Sequence, residues 1–374
     1  MTTHNSRPTL NSVHAVRAFA SLCVAALHFY SREQLEPDAI LPAWMEFTRL
    51  GTDLFFVVSG AVLVFSASKR AQGSGAAVSF LYDRFTRVMP LYWIVTGLTL
   101  FVWAISGERL LNNVVGHPEF WSTAFLLPTG VRPAIPVAWS LVNLFLYYLV
   151  FSLMIAAPRR FETFFLAAWA AIVIGLRVIG HDFGSPVIAL IAHPAALEFI
   201  GGIVLMRLAL SGRRLPWQLF AIGGVLWFGA FIYSCGPSPT YLNFSDDTAR
   251  FLTLGISAIL FAGAAINFDF KQPRKSNPVL RFLGDTSFGV YLSHVLVIAL
   301  VARIWEGIAW PGSLDNIIAT VVTFSGAIAL GWFLHRYVEL PLRDITSDAK
   351  PMIGNKLTGC LKRLGAQAKH ANLN

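Results

Sequence analysis

The sequence predicts an all-α, polytopic transmembrane helical bundle of about ten spans, with both termini cytoplasmic. Three observations predict it. Apolar residues fall in blocks of roughly 20, the length that crosses a bilayer as a helix. Hydrophobic residues make up 55% of the 374 residues and charged residues only 13%, against about 25% charged in a soluble domain. Lys and Arg concentrate in alternate loops, which places those loops and both chain ends on the cytoplasmic side.

That loop bias accounts for the net charge of +9, which otherwise suggests a nucleic-acid surface. Cys23, Cys235 and Cys360 are scattered, with neither metal spacing nor a disulfide framework. The N-terminus lacks a charged region followed by an uncharged core and a cleavage site. It is expected to stay as the first span.

Span 1 covers 13–30 and ends at a polar loop with Glu33, Glu36 and Asp38. Span 2 covers 51–67 and is followed by a basic connection carrying Lys69, Arg70, Arg84 and Arg87. Span 3 at 88–106 leads into the longest loop, 107–137, with His117 and Glu119. Spans 4, 5 and 6 cover 138–156, 163–180 and 187–207. Spans 7 to 10 cover 217–234, 250–267, 283–302 and 314–335. The expected organisation is a tail at 1–12, a membrane domain at 13–343 and a basic cytoplasmic tail at 344–374. In that last tail Lys356, Lys362, Arg363 and Lys369 suit a solvated segment or attachment to anionic lipid.

Span 1 carries ionisable Arg17 and His28, roughly 16 Å apart along a helix at 1.5 Å per residue. An ionisable group inside a span is costly and is a functional-site hypothesis by default. The topology puts Arg17 near the cytoplasmic face and His28 in the outer half, level with Asp53 of span 2. A carboxylate there would hold the imidazole and fix its tautomer. The plainer readings are an interfacial histidine and an aspartate complementing a helix dipole. Glu198 and His294 fall near the middle of spans 6 and 9. Either is a functional group or a hydrogen-bonded tie between helices. Arg84 and Arg87 are three apart and share a helix face. Paired guanidinium forks suit phosphate, and ordinary topology charge is the competing reading. Tyr92, Trp93, Trp139, Tyr147 and Tyr148 near span ends read as interfacial belt residues.

Taken in order, the motifs resemble acyltransferase family 3. They are Arg17-x10-His28, GTDLFFVVSGA at 51–61, and R-x2-R-x2-P at Arg84, Arg87 and Pro90. Trp139-Ser140-Leu141 opens span 4, and EF-x-x-G follows at Glu198, Phe199 and Gly202. Leu283, Gly284, Ser287, Phe288, Tyr291, Leu292 and His294 form a further block, before Glu339-x-Pro341. The chain looks most like the exopolysaccharide-production branch. The resemblance implies a membrane O-acyltransferase moving an acyl group, commonly acetyl, from acyl-CoA to a carbohydrate hydroxyl. It implies essential roles for Arg17 and His28, and acyl-donor binding by Arg84 and Arg87. Trp139, Ser140, Glu198 and His294 are further substrate-binding candidates, with Asp53 beside the catalytic pair. No metal and no tightly bound cofactor is expected. Acyl-CoA is a substrate, the acceptor is a glycan or lipid-linked saccharide, and the location is the cell inner membrane. Glycan-biosynthesis proteins are candidate partners. One departure stands out: the branch carries a glutamate at the position of Leu144. That substitution leaves open a non-catalytic transporter or export partner. A lipid or small-molecule acceptor is the other alternative.

Overall fold

The computed structural model describes residues 8–34, 39–106, 115, 118–180, 184–213, 215–235, 247–310 and 313–346. The basic tail beyond 346, His117 and most of the N-terminal tail lie outside the described residues. Ten helices are long and apolar enough to cross a membrane, and no strand occurs among the described residues. Their regular α-helical parts are α1 (Asn11–Glu33), α2 (Leu50–Ala67), α3 (Ser74–Ile105), α4 (Trp139–Ala156) and α5 (Glu162–Ile179). Then come α6 (Ala195–Leu210), α7 (Trp217–Cys235), α8 (Ile256–Lys271), α9 (Pro278–Trp305) and α10 (Ser313–Leu334).

Helices are the economical way to satisfy backbone polar groups in lipid, but their ends remain exposed donors and acceptors. The start of α1 is satisfied from elsewhere in the chain. Asp269 of α8 accepts from the Ser12 N–H at 2.9 Å and from the Val13 N–H at 3.3 Å. Asn11 donates to the Lys275 carbonyl at 2.9 Å and accepts from the Asn277 N–H at 2.9 Å. The first turn of α1 is thereby tied to the chain between α8 and α9. Farther along, His14 lies over Gly284, where a Cβ would come within 2.5 Å of the ring Nδ1.

α2 packs closely on α6. A Cβ at Gly60 would lie 2.1 Å from the Phe199 carbonyl oxygen, and one at Gly202 would lie 1.8 Å from that of Val57. Helix pairs in lipid gain their affinity from such close backbone approach, because lipid tails offer no competing hydrophobic drive.

Several expectations from the sequence are corrected. α3 begins at Ser74, so Arg84 and Arg87 lie inside a helix that continues through Pro90, not ahead of it. Span 6 is interrupted: a short helix (Pro186–Ile191) stops before His193-Pro194, and α6 resumes at Ala195. Proline disfavours helical geometry in the residue before it. The freed Ala192 carbonyl accepts from Arg177 Nε at 2.9 Å. Ahead of α8 the helix starts at Asp247 and passes through a π turn (Phe251–Gly255). The helix of α10 continues through a second π turn (His335–Glu339) to residue 346, past the end of span 10 expected at 335. Tyr92, Tyr147 and Tyr148 are buried in the core rather than placed at an interface.

Gly202→Leu should therefore cost about 2–3 kcal/mol or more by overpacking. Gly97→Leu, where a Cβ meets open space, should leave the melting temperature of the detergent-solubilised protein nearly unchanged. Thermal unfolding of the two variants side by side checks this.

Candidate active site

Eleven residues make three turns of an α-helix, so Arg17 and His28 project from the same side of α1. That side faces α9. Arg17 Nη1 lies 3.9 Å from Asp285, and the His28 ring lies 5.2 Å, centroid to centroid, from that of His294 with the planes tilted by 43°. His294 is fully buried. Its Nδ1 is 3.1 Å from the Val290 carbonyl oxygen. A carbonyl only accepts, so the ring proton sits on Nδ1 and Nε2 is left with a lone pair. Nε2 has no hydrogen-bond partner among the described residues.

The three arginines converge. Arg17, Arg84 and Arg87 line one cavity of about 130 Å³, together with Ser140, Leu144, Tyr148 and Tyr291. Phe55, Phe56 and Val62 give it apolar walls. Among the described residues Arg84 and Arg87 have no carboxylate within salt-bridge distance, and Arg84 Nε has no hydrogen-bond partner. Leu144 puts an apolar side chain in this lining, where the glutamate of similar proteins was expected. Asn143 does not replace it: it donates to the Trp139 carbonyl and accepts from Tyr147. At the far end of the cavity the Tyr291 and Ser140 hydroxyls are 2.6 Å apart. Tyr291 then packs on His294 at 6.2 Å. Neither histidine lines the cavity; Tyr291 is the lining residue that links it to His294 and, through that ring, to His28.

Asp53 stands apart from this path, which corrects its expected role. Its carboxylate accepts from Arg250 Nη2 at 3.0 Å and makes no contact with His28. Glu198 faces the same pair, packed against the π turn, where a Cβ on Gly255 would come within 2.8 Å of its Oε1. Trp139 is held between Arg250, 5.6 Å above its ring, and the His193 ring at 5.5 Å. Asp247 completes the group, 3.1 Å from Arg177 Nη2 and 3.7 Å from His193. Burying one member without its partners would be expensive, so the set is a unit. Trp139 and Glu198 therefore belong to a charged cluster behind the cavity, not to its lining. Ser140, adjacent to Trp139, is the cluster's link to the cavity.

Tyr291, Arg250, His193, Arg177, Asp247 and Asp285 were not singled out from the sequence as site candidates. Tyr291 sat in a recognised block and Arg250 opens an apolar span, where a cation is anomalous. Only their neighbours in space show what they do. Among the described residues no group of three or more His, Cys, Asp or Glu side chains could hold a metal ion.

Asp53→Asn should destabilise the protein by about 3 kcal/mol, because it strips a buried guanidinium of its counter-charge. Combining it with Arg250→Gln should restore part of that loss. Thermal unfolding of the single and double variants measures the coupling.

Residues 10–336 match the family described as an acyltransferase domain. The exopolysaccharide production protein ExoZ of Rhizobium meliloti is 28% identical over 264 residues, covering 68% of this chain and 77% of that protein. Acyltransferase MdmB of Streptomyces mycarofaciens is 25% identical over 92% of this chain and 94% of its own. Peptidoglycan O-acetyltransferase OatA of Listeria monocytogenes is 22% identical over 91% of this chain and 57% of its own. No solved structure matches the chain significantly. With nearly all of its apolar helices inside the matched region, the chain belongs to acyltransferase family 3 and is a multi-span membrane O-acyltransferase.

Proposed function

We propose that the protein moves an acyl group, acetyl by preference, from acyl-CoA to a hydroxyl of a cell-surface or exported glycan. The observation that carries this is the arginine cavity. Three guanidinium groups line one cavity, two of them without an acidic partner among the described residues, and Tyr291 of its lining packs on His294 of the histidine pair. Guanidinium forks bind phosphate oxygens in a bidentate manner, which suits the phosphates of CoA. The apolar wall of Phe55, Phe56 and Val62 suits the uncharged arm that carries the thioester.

His28 then serves as general base. It takes the proton of the acceptor hydroxyl as that oxygen bonds to the thioester carbonyl carbon. The carbon–sulfur bond breaks, and the departing thiolate takes the proton back from His28. His294, with Nδ1–H anchored on Val290, packs its ring against that of His28 and limits how the base can turn. Arg17 joins the two halves of the site, being on the same helix face as His28.

The glycan acceptor is supported by the names of two relatives, an exopolysaccharide production protein and a peptidoglycan O-acetyltransferase. The arginine end faces the cytoplasm in this reading, as the basic loops favour, with the protein in the inner membrane. Acyl-CoA is then available on that side.

His28→Ala should abolish acyl transfer while the protein still inserts, read as acetyl content of the host glycan. Unchanged acetylation would remove His28 from the mechanism. Arg84→Gln combined with Arg87→Gln should raise KM for acetyl-CoA roughly tenfold or more, the loss of at least one charge-assisted contact. Kinetics of acetyl-CoA consumption by the purified protein checks that.

A further inference from the structure

A second cavity opens at the other end of the bundle from the arginines. Its volume is about 360 Å³, nearly three times that of the arginine cavity. Its position relative to the histidines is defined by two helices. On α1, Phe29 lines it and directly follows His28. On α9, Tyr291 lines the arginine cavity, His294 comes next, and Ile298, one turn later, lines the second cavity. Neither histidine lines either chamber; their neighbours along α1 and α9 do, with Tyr291 on one side of the pair and Phe29 and Ile298 on the other.

The two chambers differ in charge. The first is lined by three arginines and no acid. The second is lined by Arg32 against Glu33, Glu306 and Asp315. Such a lining repels a phosphate-bearing ligand and accepts a neutral one rich in hydroxyls. The remaining groups fit that class. Asn316, Thr320 and Thr323 recur at helical spacing on α10 and form a polar stripe inside a span of Ile, Val and Ala. Polar residues in a membrane helix are placed toward partners or water-filled space. The Thr320 and Thr323 hydroxyls donate to backbone carbonyls at 2.7 Å, so their lone pairs remain as acceptors. Two indoles share this lining. Trp305 Nε1 donates to Asp315 at 2.8 Å, which orients that ring. Trp310 lines the cavity beside it. Flat apolar faces with a few convergent polar groups are what a sugar ring requires, C–H face on indole and hydroxyls on carboxylate, amide and hydroxyl.

We propose that this chamber binds a neutral saccharide unit of the acceptor and presents its hydroxyl to His28 from the side opposite acyl-CoA. The assignment rests on the acyl-transfer reading of His28. The full chain in lipid nanodiscs is the material for the test, with short neutral oligosaccharides of glucose and of galactose as probes. Saturation-transfer NMR should show saturable contact to sugar ring protons. Ala319→Phe, which fills the chamber, and Trp310→Leu should each weaken the apparent affinity roughly tenfold or more. Acetyl-CoA binding, measured by calorimetry on the same samples, should not change. Acetyl-CoA binding without any saturable saccharide signal, or with a signal indifferent to both variants, overturns the assignment. So does a co-purifying phospholipid that Ala319→Phe releases while no saccharide binds. Saccharide binding that responds to the variants, in a protein that does not bind acetyl-CoA, keeps the chamber and defeats the acyl-transfer reading instead.

Discussion

The register of α1 against α9 is the constraint on which the site depends. A helix turns by about 100° per residue, so a slip of one position would swing His28 away from His294 and Arg17 out of its cavity. The register is pinned at the start of α1. Asp269 takes the N–H groups of its first turn, Asn11 ties it to the chain entering α9, and His14 sits in the space left by Gly284. None of these groups touches the cavity, yet all of them position it. They hold one end of a rod whose other end carries the imidazole.

The buried charges divide into two sets. Around Trp139, each cation has an acid: Arg250 with Asp53, and Arg177 with Asp247. That set resembles a structural clamp across the break before α6 and the π turn before α8. In the cavity, Arg84 and Arg87 lack such partners among the described residues, and Leu144 supplies none. Uncompensated guanidinium groups in a membrane protein are expensive. Under the proposed function, a bound anionic donor would offset that cost. The leucine thus keeps the cavity wholly basic. This is consistent with anionic donor binding and is no argument for a protein that has lost its ligand.

Much of the fold was legible in the residues. Ten apolar blocks give ten helices because length and hydropathy alone decide what a bilayer accepts as a span. The Arg17–His28 spacing and the Arg84–Arg87 spacing were legible for a similar reason, since helical periodicity dictates a shared face. Breaks within helices were less so. His193-Pro194 reads as an ordinary proline in an apolar run until the short helix before it is seen to end there. Asp53 shows the limit most clearly. Its place in the first turn of span 2 was legible, but a place along one helix admits any partner that packs beside it. Arg250, almost two hundred positions away in the chain, takes it instead of His28.

The sequence by itself determined the membrane-spanning class, the helix count, the family and the shared face of the Arg17–His28 pair. The class, the count and the shared face follow from local composition or from the fixed pitch of a helix, and the family from its motifs in order. Only the tertiary structure decided which polar groups meet: His28 with His294, Asp53 with Arg250, and three arginines from two helices in one cavity. Those pairings depend on helix crossings set by close backbone contact, as at Gly60 and Gly202, and a one-dimensional pattern does not encode which crossing will close.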